Sequence, residues 1–322
     1  MGTSAEELIY LSNATTGVNV VARSLALQPG DEVLSTHLEY GACDLTWQRV
    51  CHAAGATYRQ VSVDLPLDPQ ACVDALVQAM GPRTRLVFMS HLASTTAVLL
   101  PVAEVIAQAR QRGVLSLIDG AHGPGHIDLN LDLLGADFYT GNAHKWMCAP
   151  KGAAFLHARR EHHDGLHAAV TSWGYADEMG GSGAGHEGYT GTSRLERRLQ
   201  WQGTRDLSAW LAVPAAIEFI QDAQWQAAVR DARQHALALM HEVCNLTGLP
   251  PLASDDCLGR MVCLPLPHPP ARAAAIQEHL RTHQRIEAPV TVHGDRAFLR
   301  ISVQPYNLPQ DLTAVLECGL WR

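Results

Sequence analysis

The chain has 322 residues, 47% of them hydrophobic and 17% charged, and a net charge of −8. That length has room for about two domains, and that composition excludes a disordered chain. The acidic balance argues against nucleic acid as the main partner, no apolar run is long enough to span a bilayer, and the acidic start MGTSAEELIYL lacks the features of a signal peptide.

Apolar segments alternate with amphipathic ones, the pattern of β-α units around a largely parallel sheet. Leu8 to Leu11 reads as a short strand. After the turn-like Ser12 to Gly17, Val18, Val21, Ala22 and Leu25 recur at helical spacing until Pro29-Gly30 stops the helix. Further strands are expected at 32–35, 57–63, 85–90, 114–118 and 137–140, with helices near 44–54, 69–80 and 101–112. The run 179–191 (MGGSGAGHEGYTG) is close to a dinucleotide fingerprint, but no strand precedes it and no amphipathic helix follows at once. It predicts a mobile loop, and a nicotinamide dehydrogenase is rejected on that context.

From about Leu207 the character changes. Two alanine-rich helical stretches, near 207–221 and 225–246, lead into a smaller unit. That unit offers a strand at 261–264, a helix near 271–283, a strand at 298–303 and a final helix. A boundary near 220 divides the chain into a large domain, 1–220, and a small C-terminal α/β domain, 221–322. The eight cysteines are scattered without a CxxC pair and read as reduced thiols of a cytosolic protein. The 17 histidines show no HExxH or similar spacing, so no metal site is expected.

Four constellations carry chemistry. Ala14-Thr15-Thr16-Gly17 lies between a strand and a helix, where free N–H groups and threonine hydroxyls seat a phosphate dianion; the same residues also make an ordinary helix N-cap. Leu117 to His122 places Asp119 at the carboxyl edge of an apolar strand. A carboxylate there can hold the pyridine nitrogen of pyridoxal 5′-phosphate (PLP) protonated, or simply cap the next turn. Tyr139 to Trp146 places Lys145 just after a strand, fit for a Schiff-base nucleophile, with Asn142 and His144 facing the phosphate. Lysines are usually surface residues, but Lys145 and Lys151 are the only two in the chain. Arg300 stands in an apolar strand, where it grips a substrate carboxylate with its planar fork or closes an internal salt bridge.

Together NATTG (13–17), SHLAST (90–95), IDGAH (118–122), GNAHKW (141–146), WQGTRD (201–206) and RISVQPYN (300–307) closely resemble the aminotransferase class V family of fold-type I PLP enzymes. The isopenicillin N epimerase-like branch looks nearest, and the resemblance runs from Ile9 to about Leu316. It implies a large PLP-binding domain with a mostly parallel seven-stranded sheet and a small α/β domain. It further implies that Lys145 carries PLP as a Schiff base, that Asp119 partners the pyridine nitrogen, and that His122 lies against the ring edge. By the same resemblance Tyr40 stacks on the cofactor and Ser94 or Thr95 lies near its phenolic oxygen. Ala14, Thr15, Thr16, Asn142 and His144 would bind phosphate. Gly203 and Thr204 would reach the phosphate of a neighbouring subunit, which implies a homodimer, and Arg300 would hold the substrate α-carboxylate.

Family members usually begin several dozen residues upstream, along the site mouth and dimer surface, so by the resemblance the expectation is a shortened form, a truncated gene product or a naturally compact variant. Cysteine desulfurases of the superfamily carry a nucleophilic cysteine shortly before the carboxylate-binding arginine. None lies between Cys263 and Cys318 here, which speaks against a persulfide mechanism. The expected function is PLP chemistry at the α-carbon of an amino acid: epimerisation, β-elimination as in a C–S lyase, or transamination. The rival is a truncated or impaired relative that keeps the fold and cofactor pocket with little or no catalysis.

Overall fold

The computed structural model describes residues 1–179 and 191–321, so the glycine-rich run expected as a loop lies almost wholly outside the described residues. The chain forms two compact units. Met1–Ser62, Val73–His91 and Pro101–Glu218 make the first; Val63–Cys72, Leu92–Leu100 and Phe219–Arg322 make the second. A single boundary near 220 therefore misses two short excursions, at 63–72 and 92–100, that group with the C-terminal segment.

The first unit is built on seven strands: β1 (Leu8–Leu11), β2 (Glu32–Thr36), β3 (Thr57–Val61), β4 (Thr84–Ser90), β5 (Leu115–Gly120), β6 (Phe138–Asn142) and β7 (Ala154–Ala158). Their order is β1-β7-β6-β5-β4-β2-β3. Strands β2 to β6 pair in parallel, and β7 runs antiparallel to both β6 and β1. Nearly every residue of β4, β5 and β6 is buried, so these strands read as continuous apolar runs rather than alternating ones. Edge strand β3 is half exposed and is blunted by Arg59, which pairs with Glu32 at 2.6 Å.

Helix α1 (Ala14–Ser24) packs on β5, β6 and β7, α2 (Gly41–Ala54) on β2 and β3, and α4 (Val102–Gln111) on β4 and β5. Helix α3 (Pro69–Ala79) precedes β4. The core beneath them gathers Ile9, Val18, Val21, Trp47, Phe88 and Leu117, all fully buried. The approach of α1 to β6 is so close that a Cβ on Gly17 would lie 2.2 Å from Thr140 Oγ1. Only glycine permits that contact.

A turn of helix, α5 (Leu131–Leu134), precedes β6, and α6 (Arg194–Gln200) opens with Ser193 and Glu196 in a capping box. The stretch expected as one helix over 207–221 is two, α7 (Ser208–Leu211) and α8 (Val213–Gln221). Pro214 lacks the N–H that would continue the first into the second.

In the second unit β8 (Met261–Leu266), β9 (Val290–His293) and β10 (Arg296–Ser302) form an antiparallel sheet in the order β8-β10-β9. The long α9 (Ala223–Thr247) buries Ala232, Ala236, Leu239, Met240 and Val243 at helical spacing and packs on β8. The two excursions are tied in by main-chain bonds, Leu67 N–H to Leu252 at 2.8 Å and Leu99 N–H to Cys257 at 2.9 Å. Helices α10 (Ala273–His279) and α11 (Pro309–Leu316) complete the unit, and the helix expected over 271–283 widens to a π-turn at Leu280–Gln284. Strands β7 and β9 escaped the sequence reading. Each is only four or five residues long, and β7 carries two alanines of weak strand preference. No helix among the described residues is long and apolar enough to cross a membrane.

Candidate active site

The parallel strands β4, β5 and β6 end in register, with Ser90 opposite Asp119 and Asp119 opposite Thr140. Asp119 is only 4% exposed. Its Oδ1 accepts the Ala121 N–H at 2.9 Å and its Oδ2 faces the Cys43 thiol at 3.6 Å. Burial pushes its carboxyl up, against the Ala121 N–H, the Lys145 charge and the thiol, which draw it down. Among the described residues no cationic N–H donates to this buried carboxylate.

Lys145 lies in the turn after β6, and its Nζ is 3.0 Å from Nε2 of His122. The Trp146 indole N–H donates to the other ring nitrogen of His122 at 3.1 Å. Trp146 also packs on His126, with ring centroids 3.9 Å apart. The structure therefore brings Asp119, His122 and Lys145 together.

At the start of α1, Asn13 is the N-cap, and its side chain accepts from the Thr16 N–H at 2.8 Å and the Thr16 hydroxyl at 3.0 Å. The Ala14 N–H donates to the Asn142 side chain at 2.8 Å, which ties α1 to the end of β6. Among the described residues the Thr15 N–H and hydroxyl have no protein partner. His144 turns Nδ1 to the Ala153 carbonyl at 2.9 Å, and burial together with the nearby lysine charges lowers its pKa. Its Nδ1–H is thereby spent on the backbone.

The other expected residues stand on separate segments. Tyr40 is the N-cap residue of α2 and 46% exposed, and Cys43 one turn later meets Asp119. Gly203 and Thr204 stand in the irregular segment between α6 and α7, Gly203 with φ +92°. Ser94, Thr95 and Arg300 belong to the second unit. There the Arg300 guanidinium donates to the Ser94 carbonyl and, at 3.2 Å, to its hydroxyl, while the Thr95 carbonyl faces Cys263. Burial lowers the pKa of Arg300. This hydrogen bonding is neither a salt bridge nor a carboxylate grip.

Residues that the sequence reading passed over support the strand ends. Glu39, buried, accepts from Thr36 Oγ1 at 2.6 Å and from the Ser90 N–H and hydroxyl at 2.8 and 2.6 Å. Burial drives its pKa up to about 8, with Asp119 adding to the rise. Tyr139, fully buried, meets His91 Nδ1 at 3.2 Å, and burial lowers the pKa of His91 to about 4. A Cβ on Gly120 would lie 2.0 Å from the Tyr139 ring, so this glycine lets the phenol pass under the site. The only sequence signal for these residues was their closeness to the motifs.

The aminotransferase class-V family model matches residues 1–315. The chain is 38% identical over 315 residues to isopenicillin N epimerase of Streptomyces clavuligerus, covering 96% of this chain and 78% of that protein. It is 30% identical over 340 residues to a probable chloroplastic L-cysteine desulfhydrase of Arabidopsis thaliana, covering 95% and 68%. Among solved structures, a lysine-to-alanine mutant of C-DES with glycine covalently linked to its PLP cofactor superposes with a TM-score of 0.82 at 23% identity. That match covers 99% of this chain and 81% of the other. With its motifs, its seven-stranded sheet and a family match across almost its whole length, the chain belongs to the aminotransferase class-V family of PLP-dependent enzymes.

Proposed function

We propose that this protein performs PLP-dependent chemistry at the α-carbon of an amino acid: epimerisation, β-elimination of the C–S lyase kind, or transamination. The observation that carries this reading is the hydrogen-bonded line from Trp146 through His122 to Lys145 beside the buried Asp119. The relatives named as an epimerase and a desulfhydrase act within the same range of chemistry. Asp119, His122 and Lys145 are all present, which speaks against an impaired relative.

The proton inventory of that line is informative. An indole N–H can only donate, so His122 Nδ1 must accept. The neutral imidazole then carries its proton on Nε2 and donates it to Lys145 Nζ. An unprotonated Lys145 amine can accept that bond, and in that form it is the nucleophile. Among the described residues Asp119 receives only the Ala121 N–H and the Cys43 thiol, and a protonated pyridine nitrogen would supply the cationic N–H donor it does not have. The residues fit the cofactor on that ground.

When bound, PLP supplies the electron sink that makes the α-proton of an amino acid acidic. Asp119 would hold the ring nitrogen's proton, and Tyr40 would cover the ring. At the start of α1, where N–H groups favour an anion, Thr15 would offer the phosphate its N–H and hydroxyl, while Ala14, Thr16, Asn142 and His144 would shape that seat through the bonds that hold them. Ser94 or Thr95 would serve the phenolic oxygen. Arg300 orients the substrate carboxylate, and Lys145 Nζ takes the α-proton. Gly203 and Thr204 complete the phosphate seat of a second copy, so the working form is a homodimer.

Four outcomes test this reading. Borohydride should fix PLP to the parent protein at Lys145 and to nothing in Lys145→Ala; peptide mapping that places it on Lys151 overturns the assignment. In Trp146→Phe the His122 tautomer should lose its bias, seen by ¹⁵N chemical shifts of the cofactor-free chain. An unchanged Nε2–H signature there refutes the indole's role. Arg300→Lys keeps the charge but loses the fork, worth roughly 1.5–3 kcal/mol for a charged hydrogen bond. Amino-acid affinity should then fall about tenfold or more while the cofactor spectrum stays unchanged. Sedimentation at micromolar concentration should give twice the 34.9 kDa chain mass; a monomer with full PLP occupancy rules out shared sites.

A further inference from the structure

His157 is a buried side chain that the chemistry above does not use. It lies on β7, opposite Leu8 of β1 and Tyr139 of β6, and is 2% exposed. Among the described residues neither ring nitrogen has a hydrogen-bond partner. A buried imidazole with both nitrogens unmatched is costly unless something else meets them. Its Nε2 points to Glu7 Oε2, but at 3.6 Å, beyond a hydrogen bond. Burial lowers its pKa despite the neighbouring carboxylates, so at neutral pH it brings a lone pair rather than a charge.

Asp132, on the first turn of α5, completes the cluster. One ligand atom each from Glu7, Asp132 and His157 lies within 4.8 Å of the other two. On a single ion with ligand bonds of roughly 2.1 Å, such atoms stand about 3–3.5 Å apart, so small side-chain rotations close the set. Glu7 also accepts from the Arg160 N–H at 3.1 Å and the Thr3 hydroxyl at 3.3 Å, which orients its carboxylate. The same corner is pinned by main-chain bonds from Leu131 and Asp132 to the carbonyls of Met1 and Gly2.

We propose that Glu7, Asp132 and His157 form a structural site for one divalent transition-metal ion of the Zn²⁺ or Mn²⁺ kind. One imidazole with two carboxylates suits such ions, whereas all-oxygen sets suit Ca²⁺ and Mg²⁺. The ion fastens three segments remote in sequence: the turn before edge strand β1, helix α5, and β7. No spacing motif announces it, because each segment contributes a single ligand.

The test is a titration of Zn²⁺ into the chelator-stripped, PLP-loaded full chain, followed by calorimetry and by melting temperature. The parent should bind one equivalent and melt higher with metal, since ligand that binds only the folded state stabilises it. Asp132 is exposed, so Asp132→Asn should fold and melt like the metal-free parent. Its affinity for Zn²⁺ should fall at least the roughly tenfold that even an outer-shell partner costs. His157→Gln should remove binding altogether. Absence of a stoichiometric site, or an affinity untouched by Asp132→Asn, overturns the proposal.

Discussion

Asp119 carries its carboxyl at the end of β5 with one backbone N–H and one thiol for company. Taking such a group out of water is costly unless a cation meets it, so the first unit is organised around an electrostatic demand that its own hydrogen bonds leave partly unmet. Glu39, in the same neighbourhood, answers its burial differently. Burial pushes its pKa up to about 8 and donors from Thr36 and Ser90 meet its oxygens, whereas Asp119, also pushed up by burial, has one N–H and one thiol. Their environments separate the roles of two otherwise similar side chains.

The demand can be met only because the strand ends are held rigidly. Tyr139 passes against Gly120, and its hydroxyl is met by a neutral His91. Helix α1 lies so close to β6 that Gly17 touches Thr140, and the Ala14 N–H reaches the Asn142 side chain. These contacts bring the start of a helix to the edge where the strands end, the usual ligand site of an open α/β sheet. The Asn13 cap occupies the Thr16 donors, so the N–H and hydroxyl of Thr15 are what the first turn offers to an anion.

The second unit solves a separate problem. Arg260 is buried beside Gln304, and Arg300 is held by the Ser94 carbonyl and hydroxyl. Neutral oxygens stabilise a guanidinium without cancelling its charge. Arg300 therefore keeps the positive character that a carboxylate ligand needs. The excursion 92–100 supplies that support, which gives a local reason why this segment groups with the C-terminal strands.

The sequence by itself determined the family, the parallel core strands, and the lysine and aspartate at their ends. Apolar runs, glycine and proline punctuation and short motifs are local signals, and β2, β4, β5 and β6 follow them closely. Tertiary structure alone decided which neighbours those residues meet. That His122 stands between Trp146 and Lys145 depends on how two turns from different strands approach. That Ser94 supports Arg300 depends on an excursion joining a remote strand. The raised Glu39 and the unmatched His157 arise from burial, a property of packing rather than of residue type. The short strands β7 and β9 were illegible for the same reason: their pairing comes from neighbours distant in the chain, not from preferences written in four or five residues.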